Sequence, residues 1–365
     1  MRVFLVAGAR PNFMKIAPLY REALDHDPLE CQIVHTGQHY DFEMSQAFFE
    51  DLELPQPHFF LESGSGSHAV QTAKIMVAFE ELFEKKKPDL VVVVGDVNST
   101  LACSVVAKKL LIQVAHVEAG LRSFDLTMPE EINRMVTDLL SDYLFVTENS
   151  AMGNLFKEGR PTNRIHFVGN VMIDNLFYQV RKLDGDAIKG FSTHDLKKEN
   201  SDYAFLTLHR PSNVDSRDAF EEIAAALNHI AEERPIFFPM HPRTRKMKNQ
   251  FDIKLSRNIV TLPPLSFKES LFLWRDASVV MTDSGGLQEE TTALGVLCVT
   301  LRENTERPIT IELGTNVLGG TRRDSILQAY KKSMAKDRTN CSVPPKWDGR
   351  AAERIWQVIL GFGID

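Results

Sequence analysis

Short runs of apolar residues recur along the first half of the chain, and each stops at a glycine or a polar residue. The runs are RVFLVAG, CQIVHTG, LVVVVGD, QVAHVEAG, SDYLFVT and RIHFVG. Apolar runs without polar interruptions are typical of strands that are covered on both faces in a parallel sheet. Segments of helical period, such as STLACSVVAKKLL at residues 99–111, lie between the runs. The pattern predicts an α/β fold.

A second series of apolar runs follows the polar stretch at residues 189–202. Its members are YAFLTLH, PIFFPMH, NIVTLPP, ASVVMTD and VLCVTLR. A chain of 365 residues also exceeds the roughly 250–300 residues at which single cores stop growing. We therefore predict two doubly wound parallel-sheet domains with a hinge near residues 169–174. Such sheets bind ligands beyond the carboxyl ends of their strands, so two of them facing each other predict an interdomain cleft.

Composition excludes several classes of protein. Apolar residues make up 43% of the chain and charged residues 25%, and the formal net charge is −7. A general nucleic-acid binder is usually basic, and no apolar run reaches the roughly 18 residues of a membrane span. The first apolar run is too short for a signal peptide. The four cysteines form no CxxC motif, and no metal-ligand spacing is present, so we expect a cytoplasmic protein without a membrane or metal role.

The ends of the first and third runs carry charged residues. The segment GARPNFMK at residues 8–15 lacks the GxGxxG pattern, which counts against NAD at this strand. Arg10 and Lys15 place two cations around the start of the next helix, where an anion would bind. The alternative is a solvated pair of surface charges. Asp96 directly follows Gly95 at a strand end, where it is either a site residue or a helix-capping acid.

Residues 116–134, HVEAGLRSFDLTMPEEINR, place several acids where a strand ends. Glu118, Glu130 and Glu131 are candidate site residues. The alternative is a network in which they pair with Arg122 and Arg134 and brace a loop, with Glu131 or Arg134 only orienting Glu130.

The segment ASVVMTDSGGLQEETTALG is the strongest local signal in the second half of the chain. Ser284, Gly285 and Gly286 lie between a predicted strand and a helix. Paired glycines allow backbone N–H groups to approach an anion such as a phosphate at the helix start. Glu290, one turn further, is positioned to accept hydrogen bonds from sugar hydroxyls. The alternative is a glycine-rich turn with a solvated acidic first turn.

Two histidines end apolar strands of the second half. His209 lies in LTLHRPSNV and His241 in FPMHPRTR, each followed by basic residues. A single histidine at a strand end is more often structural, but two in one domain favour a ligand site. Arg302 and Arg307 follow the last run as further candidate cations or as surface charges.

Taken together, these segments resemble UDP-N-acetylglucosamine 2-epimerases along about the whole chain. The motifs are GARPNFMKIAP, HTGQHYD, VVGDVNSTLA, HVEAGLRS, MPEEINR, TLHRPSNVD, HPRTR, TDSGGLQEE and ELGTNVLGG. The resemblance implies GT-B architecture with Rossmann-like domains at residues 1–170 and 171–348. The first is expected to face the sugar and the second to bind UDP, with a C-terminal helix at 349–363 packing back onto the first. It also implies a homodimer.

The resemblance assigns roles to residues at matching positions. It implies catalytic roles for Asp96, Glu118, Glu130 and His209. The substrate contacts that the resemblance implies are Arg10, Lys15, Ser284, Gly285, Gly286, Glu290 and Arg307. His241 is added to these contacts because it lies at a strand end. Two features depart from the family: Ser270 stands where an aromatic contact is often found, and QHYDFEM is longer than the QHxxM pattern of an allosteric UDP-sugar site in some bacterial members.

The implied reaction explains the acids. The C2 proton of the sugar is not α to a carbonyl, so loss of UDP from C1 must first make it acidic. A carboxylate then removes it, a glycal forms, and UDP adds back while a proton reaches the opposite face. We therefore predict an isomerase that interconverts UDP-GlcNAc and UDP-ManNAc without a cofactor. The alternatives are a hydrolysing 2-epimerase, a 2-epimerase of a related UDP-2,3-diacetamido sugar and, in a different class, a non-catalytic UDP-sugar sensor.

Overall fold

The apolar runs form the strands of two parallel sheets in the computed structural model, which describes residues 1–37, 49, 51–183 and 185–361. Of residues 10, 186 and 187 only the backbone is described, and the QHYDFEM segment at 38–44 lies outside the described residues. The chain divides into two units, one of Met1–Asn175 with Pro345–Asp365 and the other of Leu176–Pro344.

The first unit contains a parallel sheet of seven strands within the described residues. These strands are β1 (Arg2–Ala7), β2 (Glu30–His35), β3 (Phe59–Phe60), β4 (Leu90–Val94), β5 (Gln113–Val117), β6 (Tyr143–Val146) and β7 (Ile165–Phe167). Their order in the sheet is β3-β2-β1-β4-β5-β6-β7. Every residue of β4 is buried, as its uninterrupted apolar sequence predicts for a strand covered on both faces.

The second unit contains a parallel sheet of six strands, counted over its described part. They are β8 (Ala204–Thr207), β9 (Ile236–Pro239), β10 (Ile259–Leu262), β11 (Val279–Thr282), β12 (Cys298–Thr300) and β13 (Asn316–Leu318). The order is β10-β9-β8-β11-β12-β13. Helices and strands of this unit share one apolar core, which includes Phe220, Phe238 and Met281.

Helices connect the strands of both sheets. They are α1 (Arg10–Ala23), α2 (His68–Lys85), α3 (Asn98–Lys109), α4 (Pro129–Leu140), α5 (Asn149–Lys157), α6 (Val171–Lys182), α7 (His194–Glu199), α8 (Pro211–Val214), α9 (Arg217–Ile230), α10 (Pro242–Phe251), α11 (Phe267–Trp274), α12 (Gly285–Leu294), α13 (Ile309–Glu312), α14 (Arg323–Met334) and α15 (Ala351–Ile359). Short 3-10 turns cover Thr162–Arg164, Gly185–Gly190 and Arg338–Asn340. No helix in the described part of the chain is both long and apolar enough to cross a bilayer.

Both sheets are doubly wound. In the first sheet β1 lies beside β4, and in the second β8 lies beside β11. At such a pair the strand order reverses, so the two following loops run to opposite sides and leave a crevice at the carboxyl ends. Four of the sequence motifs lie at these two switch points: GARPNFMKIAP and VVGDVNSTLA at the ends of β1 and β4, and TLHRPSNVD and TDSGGLQEE at the ends of β8 and β11.

The C-terminal segment returns to the first unit. The indole N–H of Trp356 donates a 2.9 Å hydrogen bond to the carbonyl oxygen of Leu19 in α1. The carboxylate of Asp174 accepts bonds from the backbone N–H groups of Ala351 and Ala352 at 3.1 and 2.7 Å. Asp174 therefore caps the start of α15, where its charge also complements the helix dipole.

Candidate active site

Gly95, which follows β4, lies next to an ion pair between Lys15 of α1 and Glu118 at the end of β5. Its φ is +67°, and a Cβ atom at this position would lie 2.8 Å from Nζ of Lys15. Lys15 forms an ion pair with Glu118, and the two side chains are only 12% and 9% exposed. Glycine is therefore favoured here by its backbone conformation, and a side chain at this position would force Nζ of Lys15 to shift. The predicted residues Lys15 and Glu118 are brought together.

Glu118 has a strained backbone. Its φ is +74°, a region that side chains rarely adopt. The N–H groups of Glu118 and Ala119 both donate to the carbonyl oxygen of Phe145, at 3.1 and 3.0 Å. Strain of this kind costs about 1–3 kcal/mol and is concentrated at functional sites. The turn thus marks Glu118 as a functional candidate, independently of its acidity.

Asp96 is anchored by helix α4. Its Oδ2 accepts a 2.5 Å hydrogen bond from Nη2 of Arg134, and its carbonyl oxygen accepts a 2.8 Å bond from Nδ2 of Asn133. The Asp96 side chain nevertheless remains 27% exposed. It is therefore both held in place and accessible, as a proton-transfer group must be.

Glu131, rather than Glu130, is bound into this network. Its Oε2 accepts hydrogen bonds from Nη1 of Arg134 at 3.1 Å and from the N–H of Ser123 at 2.9 Å, and its Oε1 accepts one from the N–H of Phe124 at 3.2 Å. Burial raises the pKa of Glu131, but these donors outweigh it and hold the pKa below its usual value. Glu131 therefore carries a negative charge that fixes the loop before α4.

Glu130 is different from its neighbour. It is half-buried, and its side chain has no hydrogen-bond or ion-pair partner among the described residues. Of the bracing network considered from the sequence, only the pair of Glu131 and Arg134 is present. Glu118 pairs with Lys15, and Arg122 pairs with Asp138 and Glu158.

A buried triad was missed from the sequence. His116 and Asp138 are completely buried and lie 2.6 Å apart, Nδ1 to Oδ1. Nε2 of His116 is 2.8 Å from the carbonyl oxygen of Gly95, and Oδ2 of Asp138 accepts a 3.0 Å bond from the N–H of Gly120. Arg122 lies 2.7 Å from the same Oδ2. His116, Asp138 and Arg122 thus connect the carbonyl oxygen of Gly95 with the N–H group of Gly120, and Glu118 lies between His116 and Gly120 in the chain.

The charge state of Asp138 supports that role. Burial raises its pKa, but His116 and Arg122 outweigh the effect and keep the pKa below the usual value. The sequence contained one usable signal, because His116 interrupts an otherwise apolar strand. Its partner is 22 residues away on α4, which spacing alone does not reveal.

At the second switch point, His209 is held by Asp283. Oδ1 of Asp283 lies 2.9 Å from Nδ1 of His209, and the histidine side chain is 44% exposed. Oδ2 accepts bonds from the N–H groups of His209 and Arg210 at 2.9 and 2.8 Å. Burial raises the pKa of Asp283, but these partners keep it below its usual value. The buried anion orients the imidazole and leaves Nε2 as its other polar atom.

The turn at Ser284–Gly286 starts helix α12. Ser284 is the N-cap residue, and its side chain makes no capping hydrogen bond. A Cβ atom on Gly285 would meet nothing within 4 Å. The chain itself therefore does not require a glycine at this position, which fits an approach by a ligand to the N–H groups of the helix start.

Two adjacent acids of α12 have opposite environments. Oε1 of Glu289 lies 2.9 Å from Nε of Arg307. Glu290 is 5% exposed and has no polar side-chain partner among the described residues. Burial, with a smaller effect of Glu289, raises the pKa of Glu290 to about 8. A buried acid without a partner is costly unless a ligand supplies donors.

Three other predicted positions can be placed. His241 is the exposed N-cap residue of α10, and its ring centre is 6.0 Å from that of His209. Ser270 is half-buried in α11. Arg10 is the first residue of α1, but its side chain is outside the described part of the structure. No group of three or more His, Cys, Asp or Glu residues with metal-binding geometry occurs in the described ranges.

Comparison with known proteins decides the family. A model of the UDP-N-acetylglucosamine 2-epimerase family matches residues 22–360. The chain belongs to the UDP-N-acetylglucosamine 2-epimerase family. The enzyme of that name from Methanocaldococcus jannaschii is 40% identical over 366 residues, which cover 98% of this chain and 99% of the relative. The predicted enzyme class, an epimerase, is thus confirmed.

Solved structures and a second relative extend this result. The crystal structure of the M. jannaschii enzyme in complex with UDP-GlcNAc and UDP matches with a TM-score of 0.88, and covers 99% of this chain and 100% of that one at 40% identity. The predicted fold class, two Rossmann-like parallel-sheet domains of GT-B type, is confirmed. A Pseudomonas aeruginosa member named UDP-2,3-diacetamido-2,3-dideoxy-D-glucuronate 2-epimerase is 38% identical, covering 92% of this chain and 93% of the relative.

Proposed function

We propose that this family member is a UDP-N-acetylglucosamine 2-epimerase that interconverts UDP-GlcNAc and UDP-ManNAc. The observation that carries the proposal is the pair of acids at adjacent strand ends. Glu118 is paired with Lys15 on a strained turn, and Asp96 is anchored by Arg134 yet partly exposed. The M. jannaschii relative, which is 40% identical over nearly the full length, carries the name UDP-N-acetylglucosamine 2-epimerase.

The reaction needs two proton-transfer groups and a stabilised leaving group. The C1–O bond to UDP breaks and its electron pair leaves with UDP, while a carboxylate takes the C2 proton and a C1=C2 double bond forms. UDP then adds back to C1, and a proton is delivered to the opposite face of C2. The sequence of steps is redox-neutral, so it requires no cofactor. Asp96, Glu118 and Glu130 are the proposed proton-transfer groups, and His209 is proposed to contact the diphosphate or the glycosidic oxygen.

The leaving diphosphate requires cations and N–H donors. We assign these to the start of α12 at Ser284–Gly286 and to Arg307, with Arg10, Lys15 and His241 as further contacts. Glu290 is assigned to the ribose hydroxyls. A buried acid with no partner of its own is suited to that role because sugar hydroxyls would supply the missing donors. The second unit is thus the proposed UDP-binding domain.

The sensor alternative is disfavoured by the first unit. A protein that only binds UDP-sugar has no use for a strained acid at Glu118 or for an anchored, accessible carboxylate at Asp96. The P. aeruginosa relative is the specific reason to keep the UDP-2,3-diacetamido sugar as a second candidate substrate.

Cytoplasmic location and homodimer formation are also part of the proposal. Cys31, Cys103, Cys298 and Cys341 are all free thiols, which suits a reducing compartment. Helix α4 presents an apolar face, since Ile132, Met135 and Leu139 are 48%, 42% and 56% exposed. Apolar side chains exposed together on one helix are typical of an interface.

Proton NMR in D2O tests the function directly. With UDP-GlcNAc as substrate, deuterium should enter at C2 while the UDP linkage survives, and UDP-ManNAc should accumulate. Stoichiometric release of free UDP with N-acetylmannosamine would identify a hydrolysing enzyme. Absence of exchange with UDP-GlcNAc, together with exchange of the UDP-2,3-diacetamido-glucuronate, would identify the other substrate. Absence of exchange with both would favour the sensor.

A further inference from the structure

Two buried amide side chains lie behind the proposed diphosphate site. Gln288 of α12 is 0% exposed, and Asn316 at the start of β13 is 1% exposed. Nδ2 of Asn316 donates a 3.3 Å hydrogen bond to Oε1 of Gln288. The proposed reaction uses neither residue. Buried polar groups are costly unless they are bonded, so the partners of this pair indicate what it does.

Gln288 connects the start of α12 with the loop that carries Arg307. Its Nε2 donates a 3.0 Å bond to the carbonyl oxygen of Ser284. Its Oε1 accepts a 2.6 Å bond from the hydroxyl of Thr305. That hydroxyl in turn accepts a 3.0 Å bond from the backbone N–H of Arg307. The side-chain amide of Gln288 therefore sets the distance between the start of α12 and the backbone N–H group of Arg307.

Asn316 holds the carbonyl group of Arg307. Its Nδ2 donates to the hydroxyl of Thr310 at 3.1 Å, and that hydroxyl donates to the carbonyl oxygen of Arg307 at 2.7 Å. Its Oδ1 accepts a 2.7 Å bond from the hydroxyl of Thr300. Both backbone polar groups of Arg307 are thus bound by hydroxyls that the two amides hold.

The side chain of Arg307 is restrained as well. Its Nε is 2.9 Å from Oε1 of Glu289, and its side chain is 14% exposed. Glu289 follows Gln288 on α12, so consecutive residues of one helix fix the backbone and the guanidinium of Arg307. Groups that bind one ligand need this mutual order, because a shift of about 1 Å can cost much of the binding energy.

We propose that Gln288 is a positioning residue for diphosphate binding: acting through Thr305, it keeps Arg307 in register with the N–H groups at Ser284–Gly286. This inference rests on the proposed function, since it takes Arg307 and the helix start as the diphosphate contacts. Gln288 itself does not contact the ligand.

Thr305 is the best place to test the link. Replacing the buried Gln288 would leave several polar groups without partners and could unfold the protein. Thr305→Val has nearly the same shape, and it removes only the hydroxyl that joins Gln288 to Arg307. Thr305→Ser keeps the hydroxyl and is the matched control. A double-mutant cycle with Arg307→Ala, read as UDP affinity in calorimetry, separates action through Arg307 from general loosening.

Thr305→Val should weaken UDP binding on the order of tenfold, and Thr305→Ser should recover most of the affinity. In the Arg307→Ala background the same valine substitution should change UDP affinity less than about twofold. An equal loss in both backgrounds, or no loss in either, would overturn the positioning role. So would unchanged UDP affinity of Arg307→Ala alone. Deuterium exchange at C2 in the unaltered protein tests the proposed function independently of all these outcomes.

Discussion

Nη2 of Arg134 lies 2.5 Å from Oδ2 of Asp96, and this ion pair joins helix α4 to the end of strand β4. The same guanidinium bonds to Glu131, so one arginine connects an accessible acid with a buried one. Arg134 can therefore fix Asp96 for the proposed proton transfer while it also braces the loop before α4. The following predictions separate these two tasks.

Asp96→Asn and Glu118→Gln should each lower C2 deuterium exchange by roughly 10²-fold or more, the usual scale for a general acid or base. Both changes keep the shape of the side chain and remove its basic oxygen. UDP affinity should change little, because a group that acts in the transition state contributes little to ground-state binding. Exchange by NMR and UDP binding by calorimetry are measured on the same protein samples. Near-normal exchange in either variant would make that residue structural.

Glu130→Gln and Glu131→Gln form a matched pair of neighbours. Glu131→Gln should lower the melting temperature, since removing one member of a buried ion pair costs about 3 kcal/mol or more. Glu130→Gln should leave the melting temperature unchanged, because its side chain has no polar partner among the described residues, but should still lower exchange by roughly 10²-fold if it transfers a proton. If Glu130→Gln retains full exchange, Glu130 is not a proton-transfer group.

The pH dependence of the melting temperature gives a second test of Glu131. The folded protein holds the pKa of Glu131 below its unfolded value. Its contribution to stability is therefore present above the unfolded pKa and is lost as the pH falls through the folded pKa. The difference in melting temperature between parent and Glu131→Gln should thus shrink in acid. A difference that does not change with pH would mean that Glu131 is not held as an anion.

The fold could be read from the sequence where local pattern decides it. The apolar run LVVVV became a fully buried strand, and the motifs at Asp96, Glu118, His209 and Ser284 all follow strand ends because parallel strands share one carboxyl edge. Local pattern cannot show which residues that are far apart in the sequence pair with each other in the fold. Asp96 and Arg134 are 38 residues apart.

The choice between Glu130 and Glu131 shows the same limit. The two acids are neighbours on α4, about 100° apart around the helix, and the sequence left open which of them pairs with Arg134. Only the packing of α4 against the sheet decides that Glu131 faces Arg134 and the loop while Glu130 does not.

The apolar face of α4 should form a homodimer interface. Leu139→Glu should convert a dimer to a monomer, because a charge buried between subunits costs several kcal/mol. Val343→Glu is the matched control, since Val343 is an exposed apolar residue of the second unit, 45% exposed compared with 56% for Leu139. Light scattering after size exclusion gives the mass of each species. A Leu139→Glu variant that remains dimeric, or a parent protein that is monomeric, would exclude this interface.

Glu290→Gln should make the protein more stable and its UDP binding weaker. The pKa of Glu290 is raised by burial from 4.5 to about 8, so folding disfavours its ionised form. Relative to the glutamine variant, the parent should therefore keep its full stability below about pH 4.5 and lose it progressively as the pH rises to about 8. The gain in melting temperature of Glu290→Gln should be absent near pH 4, grow up to about pH 8 and level off above it. Glu80→Gln, on an exposed position of α2, controls for the loss of one negative charge.

UDP affinity at pH 8 should fall about tenfold or more in Glu290→Gln, the effect of a lost charge-assisted hydrogen bond. A stability gain that does not depend on pH would show that the folded protein does not raise the pKa of Glu290. Unchanged UDP affinity would show that the strain does not serve ribose binding.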